Sequence, residues 1–373
     1  MSMDVTFLGS GSAYPSPQRG ASALVLRIDG ESFLFDCGEG TQTQLMKSPL
    51  RASKISKVFI SHLHGDHLFG LPGLLCTISM NLSPLPDRSP PLIDIFGPCG
   101  LRRFLRVSLQ LSGSQLIFPY AVHELVPSDD QCPEEGRIDP ELTREGGILL
   151  PQERPGRTLH PDPNTECFTL VDDKLILVKA FKLFHRIPSF GFSLEEKERP
   201  GRLNTELLKE LGVKPGPFYG RLKNRESLTL DDGRVLTPSE VLDPPVKGRK
   251  VCVFGDCCRP VGKAYKHACE GADLLVHEAT LEDGQQEKAV EHGHSTPSMA
   301  AAIAKDCGVK MLVLSHFSQR YKPEGLRREE EDEDDVTEMK RQAEGILQGS
   351  GTEVVLAQDF LTLTVNLEKR VMQ

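Results

Sequence analysis

The amino-acid sequence predicts one large α/β domain in which stacked sheets carry helices on their outer sides. Three observations lead there. The 373 residues are 38% hydrophobic and 26% charged, an ordinary globular composition with enough apolar material for one large core or two modest ones. Short apolar runs of strand character occur in two comparable series, each mixed with helix patterns. No apolar stretch approaches the roughly 20 residues a membrane helix needs, and no repeat of fixed period appears.

The first series opens with "DVTFLG", "SALVLRIDG" and "ESFLFDCG", passes through the helix-like "EGTQTQLMKS" and closes on the strand "KVFISH". After its first strand, "FLGSGSAYPSPQRG" could cradle a phosphate through the amides of Gly9, Ser10 and Gly11. It is no Walker loop, because no Gly-Lys-Ser/Thr follows. The second series reads "LILVKAFKLFH", "GFSLEEK", "KVCVFGDC", "DLLVHEAT" and "MLVLSHFS". Within it lies the helix pattern "STPSMAAAIAKDCG", where Thr296 can cap and Pro297 can occupy the first turn.

Three stretches interrupt the pattern. Residues 127–166, rich in Pro, Gly and charge, read as a surface loop or disordered insertion. Residues 199–225 read as a protruding arm with a short helix, "NTELLKELG", between glycine-proline turns. Residues 329–335, "EEEDEDD", have nothing apolar to bury and read as a solvated, flexible run. That run supplies seven of the excess negatives behind a net charge of -9, so the rest of the chain is nearly balanced and its net charge argues neither for nor against an anionic partner. Ten cysteines in no framework spacing, with a start lacking a basic region or long apolar core, lead to an expectation of reduced thiols in the cytosol, with nuclear import left open.

The densest chemistry is "FISHLHGDHLFGLPG", residues 59–73. Alternate side chains of an extended chain share a face, so His62 and His64 can point to one centre before Gly65 redirects Asp66 and His67. Imidazole with carboxylate suits zinc or manganese. If this cluster supplies half of a two-metal site, the other ligands should follow apolar runs elsewhere. The candidates are His185, Asp256, His277 and His316, each at the end of a strand pattern. A lone strand-end histidine is usually structural, but recurrence at four strand ends is harder to dismiss.

Together these motifs resemble the metallo-β-lactamase superfamily and, within it, the short form of ribonuclease Z, the tRNA 3′-processing endonuclease. The resemblance runs nearly end to end, through "FDCGEGTQTQL" at Asp36, "HLHGDH", "FHRIPSFGF" at His185, "GDC" at Asp256, "HEAT" at 277–280, "GHST" at 293–296, "SHFSQRY" at His316 and "LAQDF" around Asp359. It implies an αββα sandwich with two zinc ions, or another divalent metal such as manganese, at one edge of the sheets. One would be held by His62, His64 and His185, the other by Asp66, His67 and His316, with Asp256 bridging and Asp36 orienting the histidine loop. It also implies that Asp66 handles the proton of the attacking water and that the protein acts as a homodimer. Cys257 and Cys258, beside the bridging aspartate, are expected to be small buried residues.

The leaving 3′ oxygen needs a proton, and His294 of "GHST" is the candidate donor, with Glu278 of "HEAT" holding its tautomer. The plainer alternative is that "HST" only caps the following helix. Substrate choice would fall to the arm, whose Arg199, Arg202, Lys209, Lys214, Arg221, Lys223 and Arg225 face only Glu206 and Glu210. Its "KPGPFYG", with Gly216 and Pro217, resembles the glycine-proline motif of the family's tRNA-binding arm. The expected partner is tRNA or its precursor, and no membrane. Two rivals stay open: a metal-dependent hydrolase of small molecules, which would not need the basic arm, and a silent RNA-binding protein, which would not need every ligand.

Overall fold

The computed structural model describes residues 2–82, 90–143, 148–230, 232–323 and 336–367. The acidic run 329–335 lies outside the described residues. Eight strands of the first sheet come early in the chain: β1 (Met3–Gly9), β2 (Ala23–Ile28), β3 (Glu31–Phe35), β4 (Ile55–Phe59), β5 (Ile93–Pro98), β6 (Tyr120–Leu125), β7 (Glu153–Arg154) and β8 (Thr158–Leu159). The second sheet holds β9 (Phe168–Asp172), β10 (Ile176–Phe184) and β11 (Ser189–Glu196). After a small hairpin, β12 (Leu228–Thr229) and β13 (Val235–Leu236), it continues with β14 (Lys250–Val253), β15 (Arg259–Pro260), β16 (Leu274–Glu278), β17 (Met311–Ser315) and β18 (Glu353–Leu356). The last strand, β19 (Thr362–Thr364), returns to pair with β1, so both ends of the described chain close the first sheet.

Strand alternation builds the layers. Met3, Val5 and Phe7 of β1, Phe35, Phe59 and Phe96 pack between the sheets against Phe190, Phe192, Val253, Val276 and Val313. The intervening residues, among them Val25, Leu34 and Val58, face the opposite way, under the helices Leu71–Asn81 and Leu101–Leu111. Leu275, Leu312 and Leu314 likewise meet the helices Pro297–Cys307 and Val336–Leu347. Three apolar layers between two sheets and two helical sets make an αββα sandwich. The parallel strands β14, β16 and β17 lie side by side, as do β3, β4 and β5. Each group therefore delivers its C-terminal loops to one edge.

Three expectations change. The described residues of 127–166 are built into the fold: β7 and β8 pair with β6, and the buried Gln131 accepts the His185 amide at 2.9 Å through its backbone carbonyl. Composition hid this because a two-residue edge strand carries no periodicity. The arm is longer than 199–225. Bridges Arg199 to Val246 and Leu203 to Leu242 close its base, and Leu203, Leu208, Val213, Leu222, Leu228, Leu236 and Val241 form a core of its own. Thr296 precedes its helix, with Pro297 in the first turn, but makes no side-chain cap, and its buried hydroxyl has no partner among the described residues. Asp283 caps instead, accepting the Ser298 amide at 3.0 Å and the Ser298 hydroxyl.

Candidate metal centre

The histidine loop leaves β4 at Phe59 and is fastened at once. Asp36, just past β3 with a left-handed φ of 56°, accepts the Ser61 amide at 2.7 Å, the Ser61 hydroxyl at 2.8 Å and His67 Nδ1–H at 2.7 Å. These contacts bear directly on which nitrogens are free. The Ser61 proton goes to Asp36, so His62 Nδ1, 3.0 Å from Ser61 Oγ, must be the donor there. His185 Nδ1 donates to the Gly293 carbonyl at 2.7 Å, and His316 Nδ1 donates to Thr280 Oγ1 at 2.9 Å, whose own proton goes to Glu278 Oε2 at 2.5 Å. In four histidines the Nε2 lone pair is left bare.

Those lone pairs converge in two sets. His62 Nε2 and His185 Nε2 approach His64 Nδ1 to 3.1 and 3.2 Å. His67 Nε2 and His316 Nε2 lie 3.3 Å apart and 3.6 and 3.4 Å from Asp66 Oδ2. Asp256 stands between the sets: its carboxylate is 3.3 Å from both His67 and His316 and 3.8 Å from His62. Lone pairs packed this closely repel unless a cation lies among them, and imidazoles with shared carboxylates suit zinc or another transition metal. The residues present therefore fit a divalent metal.

The carboxylates around the cluster favour positive charge, which a proton on His67 or a cation bound in its place can supply. Burial disfavours a charged His67, yet Asp256, Asp66 and Asp36 on three sides hold its pKa well above the usual imidazole value. Burial and the neighbouring His67 instead keep His62 neutral, and burial lowers His185 to about 4 despite Asp256. His294 lies beside the site with Nδ1 at 3.1 Å from Glu278 Oε1 and 3.8 Å from Asp256 Oδ2. Burial pulls its pKa down, but the charge and hydrogen bond of Glu278, with Asp256 and Asp66 behind, carry it up to about 9. Glu278 is itself fixed, accepting the Cys257 amide at 2.7 Å and the Ser295 amide at 3.1 Å.

Of the four strand-end candidates, His185, Asp256 and His316 join the cluster and His277 does not. On β16, Val276 and Glu278 share the inter-sheet face, so His277 turns to the helical side, where its ring packs tilted against Phe254 and meets Cys257 Sγ at 3.9 Å. Cys257 and Cys258 are buried, and burial raises both thiols. Ser61, Thr280 and Gly293, which set three of the tautomers, lie within the stretches "FISHLHGDHLFGLPG", "HEAT" and "GHST", but nothing local marks them as the partners of His62, His316 and His185. Arg202, Lys214, Gly216, Pro217, Arg221 and Lys223 are exposed on the arm. Arg199 sits at its base against Glu196, while Arg221 pairs with Glu226 at 2.9 Å and Arg225 with Glu198 at 3.7 Å, which reduces the arm's free positive charge.

An αββα sandwich with a His/Asp cluster at the strand ends defines a metal-dependent hydrolase of the metallo-β-lactamase fold. Residues 3–86 match the family model described as anti-Pycsar protein Apyc1. The chain is 56% identical over 369 residues to zinc phosphodiesterase ELAC protein 1 of Bos taurus, covering 99% of this chain and 100% of that protein. It is 37% identical to ribonuclease BN of Cronobacter sakazakii (strain ATCC BAA-894), covering 97% and 100%. The crystal structure of human tRNase Z, short form (ELAC1), superposes with a TM-score of 0.67 at 44% identity, covering 98% of this chain and 100% of that one. The chain belongs to the short-form tRNase Z, or ELAC1, family of zinc phosphodiesterases. Among the described residues no helix is long and apolar enough to cross a membrane.

Proposed function

We propose that this chain is a zinc-dependent endoribonuclease that removes the 3′ trailer from tRNA. It hydrolyses the phosphodiester after the discriminator nucleotide, leaving a 3′ hydroxyl on the tRNA and a 5′ phosphate on the trailer. The observation that carries this reading is the juxtaposition of two donor sets joined by Asp256 with the Glu278–His294 pair 3.8 Å from that same carboxylate.

In this reading two zinc ions would be held per chain, one by His62, His64 and His185 and one by Asp66, His67 and His316, with Asp256 available to both. When bound, they supply positive charge for the phosphate and an acidified water. The protein's own groups do the rest. Asp66 turns Oδ2 toward His67 and His316, so Oδ1 is the oxygen left to take the proton of the attacking water. His294, with Nδ1 committed to Glu278, presents Nε2–H to the leaving 3′ oxygen. Glu278 keeps that ring charged and aimed. The exposed arm residues Arg202, Lys214, Arg221 and Lys223 hold the tRNA backbone, with Gly216 and Pro217 shaping the approach and Arg199 bracing the base.

The working form is a homodimer in the cytosol, in which one subunit's arm holds the tRNA that the other cuts. The test is incubation of purified protein with trailer-bearing tRNA, with and without a chelator, and mapping of the new ends. Chelator-sensitive cleavage after the discriminator nucleotide supports the reading. Cleavage of small esters with tRNA left intact would replace it with the small-molecule hydrolase.

A further inference from the structure

The glycine-rich loop between β1 and β2 does not reach the metal ligands through a side chain. It reaches them through one amide: Ala13 N–H donates to Asp66 Oδ2 at 2.8 Å, on the same oxygen that faces His67 and His316. Ala13 holds a left-handed φ of 69°, a strained backbone for a residue with a Cβ, which persists only where the surroundings enforce it.

What enforces it starts at Asp359, on the far side of the loop. Its Oδ1 accepts the Ser10 amide at 3.1 Å and the Ser10 hydroxyl at 2.9 Å, and its Oδ2 accepts the Gly20 amide and Gln44 Nε2, both at 2.7 Å. One carboxylate thus ties the two ends of an eleven-residue loop, Ser10 to Gly20, which also meet each other through Gly11 N–H and the Gly20 carbonyl at 3.0 Å. Across the loop, the segment after His316 takes the other side. Ser12 N–H donates to the Phe317 carbonyl and Phe317 N–H to the Ser10 carbonyl, each at 3.0 Å, and Gln319 Nε2 donates to the Tyr14 carbonyl at 2.8 Å. Ala13 is therefore held between two anchors, one of which continues directly from a metal-binding strand end.

We propose that Asp359 is a positioning residue for Asp66: it clamps the 10–20 loop so that the Ala13 amide fixes which carboxylate oxygen turns to the metal and which stays free for the proton. The proposal rests on the metal-centre reading above. A freely rotating carboxylate could present either oxygen or both, and each wrong arrangement takes the proton acceptor out of play. The amide donor removes that freedom without adding a charge to the site.

Two variants test it. Asp359→Asn places an amide N–H against backbone donors and loosens the clamp; exchange of Ala13 for lactic acid, by unnatural amino-acid incorporation, converts one amide to an ester, which removes the N–H, keeps the methyl side chain and weakens the Ser12 carbonyl that accepts the Tyr14 amide at 2.9 Å. Zinc affinity is read by competition with a chelating chromophore, and the cobalt(II) protein by its visible spectrum. Cleavage of trailer-bearing tRNA is read as separate kcat and KM. Loss of an outer hydrogen bond to a metal ligand typically costs about 10–100-fold in metal affinity or activity, so both variants should weaken the second zinc and lower kcat by that order, shift the cobalt spectrum, and leave KM within about twofold. Wild-type zinc affinity, cobalt spectrum and kcat in the folded ester variant would overturn the proposal. If wild-type protein cut no tRNA, the functional reading would fall while zinc affinity and the cobalt spectrum still decided this one.

Discussion

Replacing Glu278 by Gln keeps an oxygen for His294 to donate to but deletes the charge that faces it at 3.1 Å. The rise of the His294 pKa from 6.5 to about 9 corresponds to about 3 kcal/mol in favour of the imidazolium, and Glu278 is the foremost group opposing the downward pull of burial. Without it the pKa should return to 6.5 or below, so that at pH 7.5 only about a tenth of the molecules carry the acid instead of nearly all. The sign follows: a proton donor works below its pKa, so the alkaline fall in kcat should move to lower pH by about two and a half units or more. Bound divalent cations lower the pKa in both proteins, so the comparison reads the difference. The assay is kcat for tRNA cleavage against pH in wild type, E278Q and H294A, repeated on an aryl phosphodiester whose phenolate departs without a proton. General acid catalysis is worth about a hundredfold to ten-thousandfold, so H294A should lose that much on tRNA and little on the aryl ester. An unmoved alkaline limb in E278Q, or equal losses on both substrates in H294A, would refute the proton-donor role and leave "GHST" a structural turn.

Elemental analysis of protein purified without added metal should give two zinc per chain, falling toward none in Asp256→Ala and toward one in His316→Ala; a single equivalent in the wild type defeats the paired site. Asp36→Ala strips three hydrogen bonds from Ser61 and His67, and metal affinity should drop about 10–100-fold by chelator competition. Replacing residues 199–246 by a short Gly/Ser linker removes the arm with its own core, so aryl ester hydrolysis should persist while tRNA binding collapses, with each lost phosphate contact taking roughly 0.7 to 0.9 from the logarithmic salt slope. Unchanged tRNA affinity and salt slope would show that the arm is not the clamp. Gly38→Ala would put a Cβ 2.1 Å from the Asp66 carbonyl, and the displaced backbone should cost about 1–3 kcal/mol in thermal stability and weaken metal binding together.

Much of the candidate site was legible in the sequence because its residues obey local rules. His62, His64, Asp66 and His67 sit within six positions, and His185, Asp256 and His316 each follow an apolar run of strand character. The same rule proposed His277 with equal force. Whether a strand-end side chain reaches the site depends on which face of the sheet it occupies, and that was settled by β16 pairing parallel with β14 and β17, with Val276 in the inter-sheet core. The arm's true extent escaped because its closing strands are only two residues long and its base is made by single bridges. Composition and strand period determined the two-series α/β architecture, the residue types of the centre and the basic arm. Only the tertiary structure decided the tautomers set by Ser61, Thr280 and Gly293, the elevated His294 pKa and the grip of Ala13 on Asp66. Each depends on groups that meet from distant parts of the chain, where burial magnifies every charge and makes every unpaired lone pair costly.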